Sequence, residues 1–375
     1  MRLEQLPTPC YVIDEAKLEQ NLKILHQVHA DTGAKILLAQ KAFSAYAFYS
    51  LIGRYIQGTA ASGLYEAMLG HEEMGLENHV FSAAYREDEM EQIASICDHV
   101  VLNSLNQLKK YAPLLMQKGC QIGLRINPQH STQEGHAIYD PCAPGSRLGV
   151  PVGELGEKLP DCVSGLHFHT LCEQNADALE ETLEAVIEKF GKYFSQIQWL
   201  NFGGGHHITR PDYQIDRLKR CIDKVQNQYH LQVYLEPGEA VALNAGYLVT
   251  SVLDIVQNDI SIAILDTSAA CHMPDVLEMP YRPPLQNSYP AHKTPFTYRL
   301  AGPTCLAGDI IGDYSFDAPL KVGHKLIFED MAIYTMVKNN TFNGMPLPSI
   351  AVQHGDGECE ILRRFSYLDF KNRLS

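Results

Sequence analysis

Apolar and polar positions along the first two-thirds of the chain fall into short alternating blocks. Nearly uncharged apolar runs recur at Ile36–Gln40, Ile56–Ala60, His79–Ala83, His99–Leu102, Gln121–Ile126, Val163–His169, Ile197–Phe202 and Leu231–Glu236. Runs of this length and texture suit strands buried on both faces of a parallel sheet. Between most of them the apolar period lengthens to that of a helix. Ser62–Met74 spaces Leu64, Met68 and Leu69, and Arg86–Ile96 spaces Met90, Ile93 and Ile96. Ala176–Phe190 spaces Leu179, Leu183, Val186 and Ile187, and Asp212–Tyr229 spaces Ile215, Leu218, Ile222 and Val225. Eight strands with intervening helices predict an α/β fold, a (β/α)8 barrel, with an open doubly wound sheet as the competing arrangement.

The pattern changes near Gly246. Tyr247–Val256, Ile260–Leu265, Phe296–Leu300, Lys325–Phe328 and Ser349–Gln353 read as strands with few long helices between them. Pro274, Pro280, Pro283, Pro284 and Pro290 mark an irregular loop. Near the start, Cys10–Ile13 adds a strand, and Asp14 reads as the N-cap of a helix through Leu18, Leu22 and Leu25. The expected organisation is a barrel over 26–245 and a β-rich domain made of 1–25 and 246–375.

Composition narrows the function classes. The 375 residues carry 30 Lys plus Arg against 44 Asp plus Glu, a net charge of −14. That balance argues against nucleic acid or an anionic membrane as the partner and suits a cationic small molecule. The ten cysteines form no C-x-x-C pair, so a zinc ribbon or a thioredoxin-type motif is not expected, and no metal is predicted. The start, MRLEQLPTPCYVIDEAKL, has no apolar h-region, and no run of about 18 apolar residues occurs. A cytoplasmic protein is expected.

In a barrel of this kind the chemistry lies at the C-terminal ends of the strands. Lys41 follows the first run, where desolvation would lower its amine pKa and allow imine formation with an aldehyde; equally, it could snorkel at a strand end. His167 and His169 close the sixth run and point the same way by alternation. They could be core histidines, metal ligands, or a flat surface for an aromatic cofactor. The seventh run enters Gly203-Gly204-Gly205, either a tight turn or a phosphate cradle. The eighth ends at Glu236, either a salt-bridge partner or a carboxylate that keeps a pyridine nitrogen protonated. The last third adds Cys305 and Asp309 in GPTCLAGD, Tyr334 in MAIYT, and Asp266 and Asp275 around DTSAACHMPD.

Taken together, Lys41, His169, Gly203–Gly205, Glu236 and Cys305 resemble the alanine-racemase-fold decarboxylases that use pyridoxal 5′-phosphate, relatives of ornithine and diaminopimelate decarboxylases. The strings LHFHTLCEQNADALE, NFGGGHHIT, YLEPGEA, ILDTSAACHMPD, TCLAGD and VKNNTFNG are similar to the carboxynorspermidine/carboxyspermidine branch. The resemblance implies that Lys41 carries the cofactor, His169 stacks on its ring, Gly203, Gly204 and Gly205 with Tyr334 hold the phosphate, and Glu236 pairs with the pyridinium nitrogen. It implies that Cys305 reaches the site from the other subunit of a homodimer and protonates Cα. It leaves Glu239, Asp266, Asp275 and Asp309 as candidates for gripping substrate amines. Three departures stand out: Glu239 where ornithine-type relatives place a phosphate-binding Arg, Leu306 where an acidic residue follows the cysteine, and Cys172 where relatives have a serine. The implied activity is decarboxylation of carboxyspermidine or carboxynorspermidine in polyamine biosynthesis. The alternatives are decarboxylation of another basic amino acid such as diaminopimelate or ornithine, an amino-acid racemase, or a non-catalytic pyridoxal phosphate carrier.

Overall fold

A computed structural model describes residues 1–133 and 137–375. By internal contacts the chain divides into two units, Asn21–Val241 and Met1–Gln20 with Ala242–Ser375. The first elements are β1 (Cys10–Asp14) and the helix Glu15–Thr32. As expected of an N-cap, Asp14 Oδ1 accepts the Lys17 amide at 3.0 Å.

The unit Asn21–Val241 holds the eight predicted strands: β2 (Lys35–Ala39), β3 (Gly58–Ala61), β4 (Glu77–Phe81), β5 (His99–Leu102), β6 (Gln121–Asn127), then, after a two-residue β7 (Val150–Pro151), β8 (Gly165–His167), β9 (Trp199–Asn201) and β10 (Gln232–Leu235). Each pairs in parallel with the next barrel strand, and β10 returns to β2 through Tyr234↔Lys35 and Leu235↔Ile36. The sheet is therefore closed, and the open doubly wound alternative is set aside. One helix escapes the periodicity reading, Leu105–Lys118. It buries Leu108, Tyr111, Ala112 and Leu115, is capped by the Ser104 hydroxyl, and ends at Gly119 with φ +79°. Pro113 inside it obscures the signal; it lies on the exposed side, where the carbonyl it leaves unbonded can meet water.

The first residues of several strands fill the N-terminal end of the barrel. Glu77 Oε1 receives Tyr234 Oη at 2.8 Å and His79 Nε2 at 3.0 Å, while Lys35 Nζ reaches Oε2 at 2.8 Å. His79 and His99 stack face to face, 3.9 Å between centroids, and Trp199 lies 5.0 Å from His99. The indole occupies space that only glycine leaves open: a Cβ on Gly165 would come within 2.0 Å of it. Stacked imidazoles run their lone pairs side by side, so Glu77, His79 and His99 form a hydrogen-bonded plug around one carboxylate and do not converge on a cation.

In the other unit β1 lies between two strands distant in sequence, antiparallel to β11 (Gly246–Asn258) and parallel to β17 (Ser349–Gln353). The remaining strands are β12 (Ile260–Leu265), β13 (Tyr289–Pro290), β14 (Phe296–Ala301), β15 (Ile310–Phe316), β16 (Lys325–Glu329) and β18 (Cys359–Arg363). Tyr11 and Leu248 face a core with Leu265, Tyr314, Phe328 and Met331, while Cys10, Val12 and Val249 face a second cluster with Leu6 and Ile327. With apolar packing on both faces, β1 needs no polar alternation. The sequence reading missed β15, interrupted by Gly312 and Asp313, and β18, whose residues are mostly exposed and charged. No helix among the described residues is long and apolar enough to cross a membrane.

The plug makes barrel stability depend on pH. Burial, reinforced by His79, pushes His99 down to about 2, and Glu77 lies well below the usual carboxylate range because hydrogen bonds from His79, Lys35 and Tyr234 outweigh its burial. Both depressed groups stabilise the fold above their unfolded pKa values. The His99 contribution is lost as pH falls below about 6.5, and that of Glu77 below about 4.3. Urea unfolding followed by emission of Trp199, the one tryptophan, should show the midpoint dropping between about pH 7 and 5. His99→Gln should flatten that slope, and an equal slope in the variant would show that His99 is not its source.

Candidate active site

At the opposite end of the barrel the strands run out into turns that interlock. The amide of Glu236 donates to Gly203 O at 2.8 Å, and that of Ala39 to Pro237 O at 3.1 Å. A Cβ on Gly238 would sit 2.7 Å from Ala42 Cβ, so its absence lets the Glu236–Glu239 turn lie against the turn that carries Lys41. Lys41 itself follows β2 by two residues. Burial among the barrel ends lowers its amine pKa, against the pull of Glu236 and with the help of Arg125.

Glu236 is held from two sides. Asn201 Nδ2 donates to Oε1 at 2.7 Å and His167 Nε2 lies 3.2 Å from Oε2. Burial opposes its charge, but these partners prevail and hold it at about 2, so it is a carboxylate throughout the working range. His169 is buried enough to be held well below the usual imidazole range, and its Nδ1 accepts the Gly204 amide at 2.8 Å. It is therefore a neutral ring, protonated on Nε2.

The glycine run does what only glycine can at two positions. Gly203 and Gly205 have φ of +69° and +81°, and a Cβ would fall 2.5 Å from Phe168 O and 2.0 Å from Leu171 O respectively. Two of the three amides are engaged inside the protein, Gly203 with Asn201 Oδ1 at 2.8 Å and Gly204 with His169. The amide of Gly205 has no partner among the described residues.

An aldehyde-reactive amine, a neutral imidazole, a carboxylate with unfilled lone pairs and a cradle closed to any Cβ suit a phosphorylated pyridine aldehyde. The model described as "Pyridoxal-dependent decarboxylase, C-terminal sheet domain" matches residues 10–332. The chain belongs to the pyridoxal-dependent decarboxylases. Its cofactor is pyridoxal 5′-phosphate. This decarboxylase is 42% identical, over the full length of both chains, to the carboxynorspermidine/carboxyspermidine decarboxylase of Campylobacter jejuni. It is also 42% identical to the carboxyaminopropylagmatine decarboxylase of Synechocystis, over 100% of this chain and 97% of that one. The crystal structure of C. jejuni carboxynorspermidine decarboxylase complexed with norspermidine superposes with a TM-score of 0.92 at 41% identity, covering 98% of this chain and all of the other. A Helicobacter pylori diaminopimelate decarboxylase, 17% identical and covering 99% of this chain and 97% of its own, shares the fold with a TM-score of 0.81.

Lys41, His169, Gly203–Gly205, Glu236 and Glu239 lie in the barrel unit of this decarboxylase; Asp266, Asp275, Cys305, Asp309 and Tyr334 lie in the other. The candidate substrate acids are already engaged to different degrees. Glu239 Oε2 meets His207 Nε2 at 2.7 Å. Asp275 pairs with Lys338, although burial still raises its carboxyl. Asp266 accepts Thr250 Oγ1 and Ser251 N through Oδ1. Asp309 is buried and bonded to the Ser268 and Thr304 hydroxyls and the Ala270 amide. Cys305 is exposed, its amide held at 2.8 Å by Asn343 Oδ1, and Tyr334 has a left-handed backbone, φ 47°. Sequence reasoning missed Glu66, whose carboxyl is raised by burial and lowered by Lys41. It also missed Arg125, which donates to His169 O at 3.0 Å. A buried arginine in a strand as apolar as β6 was the available signal.

The cradle can be tested independently of catalysis. Gly205→Ala should lower barrel stability by at least about 1–3 kcal/mol and abolish cofactor retention, because strain and overlap add. Gly153→Ala, with nothing within 4 Å, should change neither. Thermal unfolding and the visible absorbance of the loaded protein read both outcomes.

Proposed function

We propose that this enzyme decarboxylates the α-amino-acid end of a long polyamine, carboxyspermidine or carboxynorspermidine, giving spermidine or norspermidine. Full-length identity of 42% to the C. jejuni enzyme of that name is the observation that carries the reading. The chemistry agrees with it. Glu239 and Leu306 replace groups that ornithine-type relatives use, and a net charge of −14 suits a polycationic substrate. A charged Glu236 beside the ring nitrogen favours decarboxylation over racemisation, since racemases place a cation there.

When bound, pyridoxal phosphate supplies the electron sink for the pair left on Cα as CO2 departs. Lys41, its pKa lowered, offers a neutral amine to hold the cofactor and yields it to the substrate amine. Glu236 keeps a proton on the ring nitrogen. His169 presents a flat neutral face to the ring. Gly205, Tyr334 and neighbouring amides hold the phosphate. Cys305, contributed by the other protomer of a homodimer, returns a proton to Cα. Asp266, with Oδ2 uncommitted, and Glu239 are the acids best suited to the substrate ammonium groups; Asp275 keeps a partner in Lys338, and Asp309 orders its own loop. Ten unpaired cysteines are consistent with a reducing cytoplasm.

The equal identity to the Synechocystis enzyme favours a second reading, in which the distal group is a guanidinium. Side-by-side kcat/KM on carboxyspermidine, carboxynorspermidine, carboxyaminopropylagmatine, diaminopimelate and ornithine decides among them. One of the first two is expected to lead, with at most about 1–3 kcal/mol between them for the one methylene. A lead by diaminopimelate or ornithine would overturn the assignment. Lys41→Ala should abolish borohydride fixation of the cofactor, seen as loss of the mass increase. Glu239→Gln should raise KM for the polyamine while leaving cofactor retention intact; the opposite pattern removes Glu239 from substrate binding.

A further inference from the structure

We propose that His167 is a positioning residue for Glu236, a neutral N–H donor that fixes the carboxylate against the cofactor's ring nitrogen. The inference rests on the pyridoxal phosphate reading of the site. Three adjacent strands bring the parts to one level: His167 pairs in register with Asn201, Asn201 with Tyr234, and Glu236 follows Tyr234 by two residues. The amide of Asn201 has only one workable orientation. Its Oδ1 accepts Gly203 N at 2.8 Å, so Nδ2 must face Glu236 Oε1. On the other oxygen, 3.2 Å away, stands His167 Nε2.

The chemistry of that contact is constrained. Only 1% of the His167 side chain is exposed, and burial holds the imidazole neutral. An ionised carboxylate can only accept, so the proton of the neutral ring resides on Nε2. Its Nδ1 is buried without a hydrogen-bond partner, so no relay leads away from the ring. His167 can hold Glu236 but cannot shuttle its proton. Packing fixes the ring: it stacks on Phe81, 5.5 Å between centroids and 19° from parallel, and Arg125 lies 4.5 Å from the Phe81 centroid. Each carboxylate oxygen thus has one protein donor, and a lone pair remains for the pyridinium. Neither donor brings a charge that would compete with it.

Two substitutions separate the donor from the packing. His167→Phe keeps an aromatic ring on Phe81 and deletes the N–H; His167→Gln keeps an N–H and deletes the ring. With the cofactor labelled on its ring nitrogen, the 15N resonance should lie at its protonated position in the wild type and H167Q. In H167F it should move toward the unprotonated position, with kcat down about tenfold or more and KM little changed, as for one hydrogen bond to a charged group. An unmoved resonance with unchanged kcat in H167F would overturn the proposal. So would a wild-type 15N-histidine spectrum placing the His167 proton on Nδ1, a measurement that needs no variant to fold. A wild-type protein that takes up no pyridoxal phosphate would sink the functional reading instead, which keeps the two failures distinct.

Discussion

A carboxylate that must stay charged while buried is the constraint on which the mouth of this barrel depends. Burying an isolated carboxylate costs several kcal/mol even after relaxation. Glu236 meets that cost with neutral donors, Asn201 Nδ2 at 2.7 Å and His167 Nε2 at 3.2 Å, not with a direct ion pair. Dipoles stabilise an anion without cancelling it. The net charge therefore survives at the end of β10, where a cationic ring can use it. A salt bridge to Arg125 would have been stronger and chemically inert; Arg125 instead donates to His169 O.

The same end of the barrel shows how backbone and chemistry share groups. Asn201 serves Glu236 through its amide nitrogen and Gly203 through its oxygen, and His169 accepts Gly204 while keeping its flat face. Cradle, ring support and carboxylate are thus one hydrogen-bonded assembly built from β8, β9 and β10. In the other unit, Asp309 does comparable work. Ser268, Ala270 and Thr304 all converge on its carboxylate, tying the start of the 269–272 helix to the loop that presents Cys305.

Much of this was legible in the chain. All eight barrel strands were found because a doubly buried strand has one signature, a short apolar run, and the barrel repeats it. Lys41, His169 and Glu236 were found because each polar residue stands just beyond such a run, where burial should have forbidden it. The partners were harder to see. Nothing in the sequence ties His167 to Glu236 or His207 to Glu239, since those contacts arise only when strands distant along the chain are set side by side. Helix Leu105–Lys118 was hidden by Pro113, whose cost is small on an exposed face. Of the acids considered for substrate, the sequence offered only their charge; Asp309 and Asp275 proved to have partners of their own.

The placement of β1 has a consequence for biosynthesis. The barrel is a continuous stretch of chain, and each of its strands finds a neighbour soon after it is made. Cys10–Asp14 finds none: its partners are Gly246–Val249 on one edge and Ser349–Gln353 on the other. At about 5–20 residues per second on the ribosome, that apolar strand waits on the order of tens of seconds with both edges unpaired. The long amphipathic helix that follows it, Glu15–Thr32, can dock Leu22, Leu25 and Val28 on the nascent barrel well before then. The barrel thus assembles early, while the segment leading into it is the last piece of sheet to be completed.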